Sequence, residues 1–236
     1  MNKVNNWLFD YPNLKVYQFD DGFKFSLDSI LLAEFAQIRK NDNKIIDLCT
    51  GNGVIPIVIN HLYNKSVDGI EVQNEVYDLA RDSVHENGMD NDINIVCGDA
   101  SLVQNYFPGN TYDVVLCNPP YFKYHSPDFI NNNKIKSIAR HEIMINLTQL
   151  FSSVQYLLRD KGRFYLVHVP DRIEEIVNCA SNCQLALKEL QFVSSKSVEN
   201  PIIALMSFVK KGKTGCKVYP QVSIDGLTTY QNLFRR

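Results

Sequence analysis

The sequence predicts an α/β fold in which one mainly parallel sheet carries helices on both faces. Three observations lead there. From about residue 44 to residue 209, apolar runs alternate with amphipathic stretches, as successive βα units do. The first apolar run enters a Gly-x-Gly turn, Gly51-Asn52-Gly53, that opens into a helix. A length of 236 residues, 45% of them apolar, matches one such sheet with its helices, so a single domain over residues 1–236 is expected.

Seven strands are predicted, at Lys44–Leu48, Val67–Glu71, Ile93–Val96, Val114–Cys117, Arg163–His168, Leu187–Phe192 and Ile202–Val209. Helices are predicted at Leu27–Gln37, Val54–Tyr63, Glu75–Glu86, Thr148–Arg159 and Arg172–Ser181, each followed by Gly, Asn or Lys turn chemistry. The last two strands are joined by Val193–Pro201, too short for a parallel crossover, so they should form an antiparallel hairpin. The expected sheet has six parallel strands and one antiparallel strand at its edge. Residues 1–43 form an N-terminal strand and helix extension. The stretch from Phe122 is polar and aromatic without a clear period, and residues 122–140 are expected to form a substrate loop.

Composition narrows the function. No apolar run approaches the roughly 18 residues of a membrane span, and the N-terminus lacks an export signal, so a cytoplasmic protein without a membrane partner is expected. The six cysteines are dispersed, which fits buried thiols in a reducing compartment. Cys179 and Cys183 could share a helix face, but no further ligands stand near them, and no metal is expected. Net charge is −2. Positive charge is nevertheless concentrated. Val209–Arg236 holds six basic residues and one acid, Phe122–His141 holds four and one, and the remainder holds 14 basic and 24 acidic residues. Lys123, Arg140, Lys210, Lys211 and Lys213 are therefore candidates for nucleic-acid phosphates, against the plainer reading that such runs only solubilise.

A cofactor site is expected at the carboxyl edge of the sheet. A dinucleotide fingerprint needs Gly or Ala as its third small residue, where this chain has Pro56, so NAD is disfavoured. Asp47 beside the glycine turn repels phosphate but suits a ligand with an ammonium group, and S-adenosylmethionine is such a ligand. Cys49, Gly51 and Gly53 shape the turn. Glu71, with Val72 after it, ends the second strand where a carboxylate can take ribose hydroxyls. Asp99, with Ala100 after it, follows the third strand, where it could accept from an adenine amino group.

The fourth strand runs into Asn118-Pro119-Pro120-Tyr121. The prolines fix the backbone and remove two donors, which leaves a rigid set of acceptors. An exocyclic amine is planar, with its lone pair delocalised, so it attacks a sulfonium methyl poorly. The Asn118 side-chain oxygen and the Pro119 carbonyl can draw it toward tetrahedral geometry, each preorganised dipole contributing about a few kcal/mol. Tyr121 would stack on the base. Asn118 also borders the cofactor.

Asp47–Gly53, Glu71, Asp99 and Asn118–Tyr121 resemble the motifs of Rossmann-like class I S-adenosylmethionine-dependent amino-methyltransferases. Phe23–Leu32, Ala139-Arg140-His141-Glu142 and the total length further resemble the bacterial tRNA(Val) adenine-N6-methyltransferase family. The resemblance implies methylation of an adenine next to the anticodon, with tRNA as partner and no obligate protein partner. It also implies that Arg140 and His141 approach the substrate and that the segment around Asp28 covers the methionine end of the cofactor. Alternatives are N5-methylation of a protein glutamine, whose planar amide suits the same geometry, a non-catalytic RNA-binding module, and DNA adenine methylation, for which no target-recognition domain is evident.

Overall fold

The central strands are apolar on both faces because both are covered. All residues of β3 (Ile45–Leu48) and β6 (Tyr112–Cys117) are buried, as is β7 (Leu158–His168) from Gly162 onward. The computed structural model describes residues 2–20, 27–120, 145–195, 198–225 and 234. Lys24 to Ser26, Tyr121, Lys123, Arg140, His141 and the expected loop at 122–140 lie outside the described residues.

The remaining strands are β1 (Lys3–Leu8), β2 (Tyr11–Phe19), β4 (Val67–Glu71), β5 (Ile93–Cys97), β8 (Leu185–Ser195), β9 (Val198–Lys210) and β10 (Lys217–Ser223). The helices are α1 (Leu27–Phe35), α2 (Val54–Tyr63), α3 (Asn74–Glu86), α4 (Leu147–Leu157) and α5 (Ile173–Asn182). Local chemistry sets their ends. The amphipathic stripe of α3 is Val76, Leu79, Ala80, Ser83 and Val84. Asn146 and Gln149 form a reciprocal capping box at the start of α4. Leu158 follows that helix directly into β7, so the predicted helix runs two residues too far.

An eight-stranded sheet has the order β10-β8-β9-β7-β6-β3-β4-β5, and β1 and β2 form a separate antiparallel hairpin. One apolar cluster, under α1, α2 and the hairpin, covers one face; α4 and α5 cover the other. No helix among the described residues is long and apolar enough to cross a membrane.

The placement of the antiparallel strand differs from expectation. It is β9, and it lies inside the sheet, antiparallel to both β7 and β8. The physical reason is its composition. Ala204, Leu205, Met206 and Phe208 are fully buried, and a strand apolar on both faces gains nothing at an edge. β8 is only partly buried, and β10 pairs beside it in parallel. β10 carries Pro220 and the exposed Val218, which suits an edge strand but hides it among polar residues in the sequence.

The hairpin is fastened to the body by polar contacts. Tyr17 N–H donates to Ser83 Oγ at 2.9 Å, and Asn87 both accepts from Lys15 N–H at 3.0 Å and donates to its carbonyl at 2.7 Å. Tyr11 OH donates to the buried Glu34 of α1. Phe234, near the end of the chain, packs edge-on against Phe35 of α1.

Lys210 is the clearest correction to the surface reading. It is 6% exposed, and its ammonium donates to Asn110 Oδ1 at 2.8 Å and to the Gln155 and Leu158 carbonyls at 2.6 Å each. A cation held in this way joins β9 to the end of α4 and is turned inward, where the sequence suggested an exposed one. Lys210→Met would leave three acceptors short of a donor, and we expect it to cost about 2–3 kcal/mol in urea unfolding. An unchanged midpoint would show the network to be dispensable.

Candidate functional site

Four strands end together. Leu48 pairs with Cys117 and with Ile70, and Glu71 pairs with Cys97, so β6, β3, β4 and β5 present one carboxyl edge. Asp47, Glu71, Asp99 and Asn118 lie along it. Such an edge is where open α/β sheets bind ligands.

The turn after β3 is built from left-handed backbone. Cys49 has φ 57°, Gly51 φ 57° and Gly53 φ 88°, and three such residues in five reverse the chain tightly enough to start α2 at Val54. Thr50 N–H bonds to the Ile70 carbonyl at 3.0 Å, and Gly51 N–H donates to Glu71 Oε2 at 3.0 Å. Glu71 Oε1 also accepts from Gln73 N–H at 3.0 Å, so one carboxylate spans both loops. Asn52 Nδ2 donates to the Tyr17 carbonyl at 2.8 Å, which ties the turn to the N-terminal hairpin. Val72 follows Glu71 and is half-buried.

Asp47 is fully buried, and neither carboxylate oxygen has a hydrogen-bond partner among the described residues. Burial pushes its carboxyl well above the usual carboxylate range, the nearby Thr50 hydroxyl offsets part of the rise, and the Glu71 charge adds to it. Burial also raises Glu71, partly offset by the Gln73 and Gly51 N–H groups. An orphaned buried carboxylate beside an open backbone turn fits a ligand that brings its own cation.

Asp99 caps the short 3₁₀ helix Ala100–Asn105, Oδ1 accepting from Ser101 N–H at 2.7 Å, and Ala100 is buried beneath it. Gly98 precedes it, and a Cβ there would lie 2.6 Å from the Tyr106 ring, so any side chain would have to displace that ring. Tyr106 thereby lies against the strand end, a neighbour that the sequence spacing did not mark.

Asn118 directly follows β6. Its Nδ2 donates to Ser29 Oγ of α1 at 2.9 Å, which turns the amide oxygen the other way. Pro119 is buried and Pro120 exposed. Ser29 was missed in sequence because it stands 89 residues from its partner. Burial pushes the Cys117 thiol well up, with Cys49 beside it, so the floor under Asn118 is an uncharged sulfur.

His168, also unmarked in sequence, ends β7 two residues past Leu166, the partner of Cys117. It is 1% exposed, and burial with the Arg172 charge pushes its imidazole down to about 4. Val169 N–H donates to Nδ1 at 2.9 Å, which leaves the proton of the neutral ring on Nε2.

The basic residues after β9 lie elsewhere. Ala204 pairs with His168 at the carboxyl edge, whereas Val209 pairs with Arg163 near the opposite end of β7. Lys210, Lys211 and Lys213 are therefore at the amino edge, away from Asn118. Lys211 Nζ pairs with Asp160 at 2.9 Å.

Comparison with known proteins gives the family. Residues 24–171 match the Methyltransferase small domain family, and the chain belongs to it. It is similar to proteins named tRNA1(Val) (adenine(37)-N6)-methyltransferase. The one from Cytophaga hutchinsonii is 25% identical over 69% of this chain and 66% of the relative. The one from Phocaeicola vulgatus is 25% identical over 86% and 84%. Among solved structures, a predicted O-methyltransferase from Agrobacterium tumefaciens superposes with a TM-score of 0.69 at 16% identity, over 89% of this chain and 97% of the other. That likeness shows the Rossmann-like methyltransferase fold.

Unfolded, Asp and Glu ionise near about 3.9 and 4.3. Folded, Asp47 and Glu71 hold their protons to higher pH, so their contribution to stability is present at low pH and is lost as pH rises through the folded values. Asp47→Asn should therefore raise the ligand-free melting temperature at about pH 7, by ~2–4 °C per kcal/mol recovered, and flatten its decline from about pH 5 upward. A variant that melts below wild type at pH 7 would mean the carboxylate is satisfied by the protein.

Proposed function

We propose that this protein transfers the methyl group of S-adenosylmethionine to the exocyclic N6 of an adenine in tRNA, at the position beside the anticodon of tRNA1(Val). The observation that carries this reading is the juxtaposition of an unpartnered buried carboxylate, Asp47, with an oriented amide, Asn118, on the ends of adjacent strands. Family membership and the names of the relatives support it.

When bound, the cofactor supplies an electrophilic methyl on a sulfonium. Asp47 receives its ammonium group, and the backbone of Cys49, Gly51 and Gly53 allows close approach. Glu71 takes the ribose hydroxyls while holding the turn through Gly51. Val72, Asp99 and Ala100 border the adenine, with one Asp99 oxygen already used by Ser101. The ligand's cation would take the place of the proton that burial makes the Asp47 carboxyl hold in the empty protein.

On the acceptor side, Asn118 Oδ1 and the Pro119 carbonyl accept from the two hydrogens of the target amine. That pulls the nitrogen out of conjugation and aims its lone pair at the methyl carbon. No strong base is required, because the nitrogen becomes acidic only as the new bond forms, and its proton then passes to water. Tyr121 stacks on the base, and Lys123, Arg140 and His141 approach the RNA. Ser29 acts through Asn118 by fixing which amide atom faces the substrate. A tRNA substrate implies a cytoplasmic site of action.

The test is to incubate the protein with S-adenosylmethionine and unmodified tRNA, digest the RNA and quantify N6-methyladenosine by mass spectrometry. Wild type should give the nucleoside, and Asn118→Ala should lower the rate roughly 100-fold or more. Absence of product despite cofactor binding would sink the adenine reading and redirect the search to a protein glutamine. Ser29→Ala should lower kcat about 5- to 10-fold and leave the KM for S-adenosylmethionine unchanged. A change in that KM alone would show that Ser29 serves the cofactor instead.

A further inference from the structure

The amino edge of the sheet, opposite Asp47 and Asn118, gathers cations from three separate stretches of chain. Arg39, Lys40 and Lys44 precede β3, Arg159 and Lys161 lie at the start of β7, and Lys211 and Lys213 follow β9; all seven are exposed. The strand order brings them together, since β3, β6, β7 and β9 are successive neighbours. Arg39, Lys40 and Arg159 line one open cleft of about 530 Å³ together with Asn41 and Asp42. Lys161 Nζ donates to the Lys211 carbonyl, so the strip continues from that cleft to the end of β9.

Lys44 shares a groove with Asp68, Asp90 and Asp92 at one end of the strip, whereas the three acids nearest the other cations are already committed. Asp42 is buried and paired with the buried Arg163. Asp113 is buried, accepts from Asn43 and Lys44 N–H groups and pairs with Arg159 at 2.6 Å. Asp160 is exposed and pairs with Lys211. Among the described residues, Arg39, Lys40, Lys44, Lys161 and Lys213 take part in no ion pair. More than 170 positions separate the first from the last, so no run of charge in the sequence announces the strip. Two of the seven cations are paired and five are not, and such a surplus of like charge repels itself and attracts a polyanion.

We propose that this strip is a second docking surface for the RNA substrate, holding backbone phosphates far from the reacting base. It rests on the tRNA reading and deepens it. The six residues of β6, at about 3.3 Å each, set the strip on the order of 20 Å from Asn118. A single nucleotide at Asn118 does not reach that far, whereas a folded RNA that offers one loop base to Asn118 carries phosphates well beyond it. Phosphate binding of this kind positions the RNA without reading its sequence. Selection of the adenine stays at the carboxyl edge, and Lys210, inside the same basic run, takes no part.

The experiment measures binding of an unmodified full-length tRNA1(Val) transcript by fluorescence anisotropy at about 50–200 mM salt, alongside N6-methyladenosine formation on the same RNA. Two variants accompany wild type. One is neutral (Arg39→Gln, Lys40→Gln, Lys161→Gln, Lys213→Gln). The other keeps the charge (Arg39→Lys, Lys40→Arg, Lys161→Arg, Lys213→Arg). The neutral variant should bind at least about 10-fold more weakly at low salt, with a slope of log affinity against log salt shallower by roughly 0.7–0.9 for each phosphate no longer neutralised. The charge-keeping variant should match wild type, and both should melt as wild type does. Unchanged affinity and slope in the neutral variant, while wild type methylates the RNA, overturns the strip and leaves the adenine reading standing. Weakened binding with no methylation by wild type supports the strip and counts against the adenine reading. A wild type that does not bind the RNA overturns both.

Discussion

Asp47 places a carboxylate where water does not reach and where, among the described residues, no hydrogen bond is made to either oxygen, at the end of a strand inside the sheet. Leaving such a group without a partner is costly, and a fold keeps it only where something outside the chain completes it. The surrounding structure follows from holding that carboxylate in place. β3 is buried along its whole length between β4 and β6, so Asp47 cannot swing out to solvent. The left-handed turn that follows removes side chains from the space beside it, and Glu71 and Asn52 fix the turn from two sides.

The neighbouring strand performs the complementary task. Asp47 awaits a cation, while Asn118 and Pro119 await hydrogens, and the parallel register of β3 and β6 puts these two needs side by side along the edge. The buried Cys117 thiol and the neutral His168 bring no full charge to the floor. A cationic methyl donor and an uncharged planar amine can then meet without a competing ion. The N-terminal hairpin and α1 share in this arrangement, the first through Asn52 and the second through Ser29.

Much of this was legible in the sequence because the signals are local. A strand ending in Asp47 before Gly51 and Gly53, acids at the ends of the next two strands, and Asn118-Pro119-Pro120 after the fourth each occupy a few consecutive residues. The features that escaped depend on tertiary pairing. Ser29 meets Asn118 across 89 positions, and β9 leaves the edge for the interior because both of its faces are apolar. β10 is an exposed edge strand whose Lys, Pro and Gln residues mask its period. Lys210 reads as one more surface lysine in a basic run, yet three acceptors converge on it inside the protein. At the amino edge, Arg39, Lys40, Lys44, Arg159 and Lys161, scattered through an acidic remainder, become neighbours of Lys211 and Lys213 only through strand order.

The most direct measurement is calorimetric titration of S-adenosylmethionine into the protein, in buffers of different ionisation enthalpy, between about pH 5 and pH 7, below the usual range of the ligand's amino group. If Asp47 holds its proton in the empty protein and meets the ligand's ammonium as a carboxylate, binding releases protons and tightens as pH rises, and Asp47→Asn abolishes both the release and most of the affinity. Binding without proton release, at an affinity that Asp47→Asn leaves intact, would contradict the assignment of this carboxylate as the seat of the methyl donor.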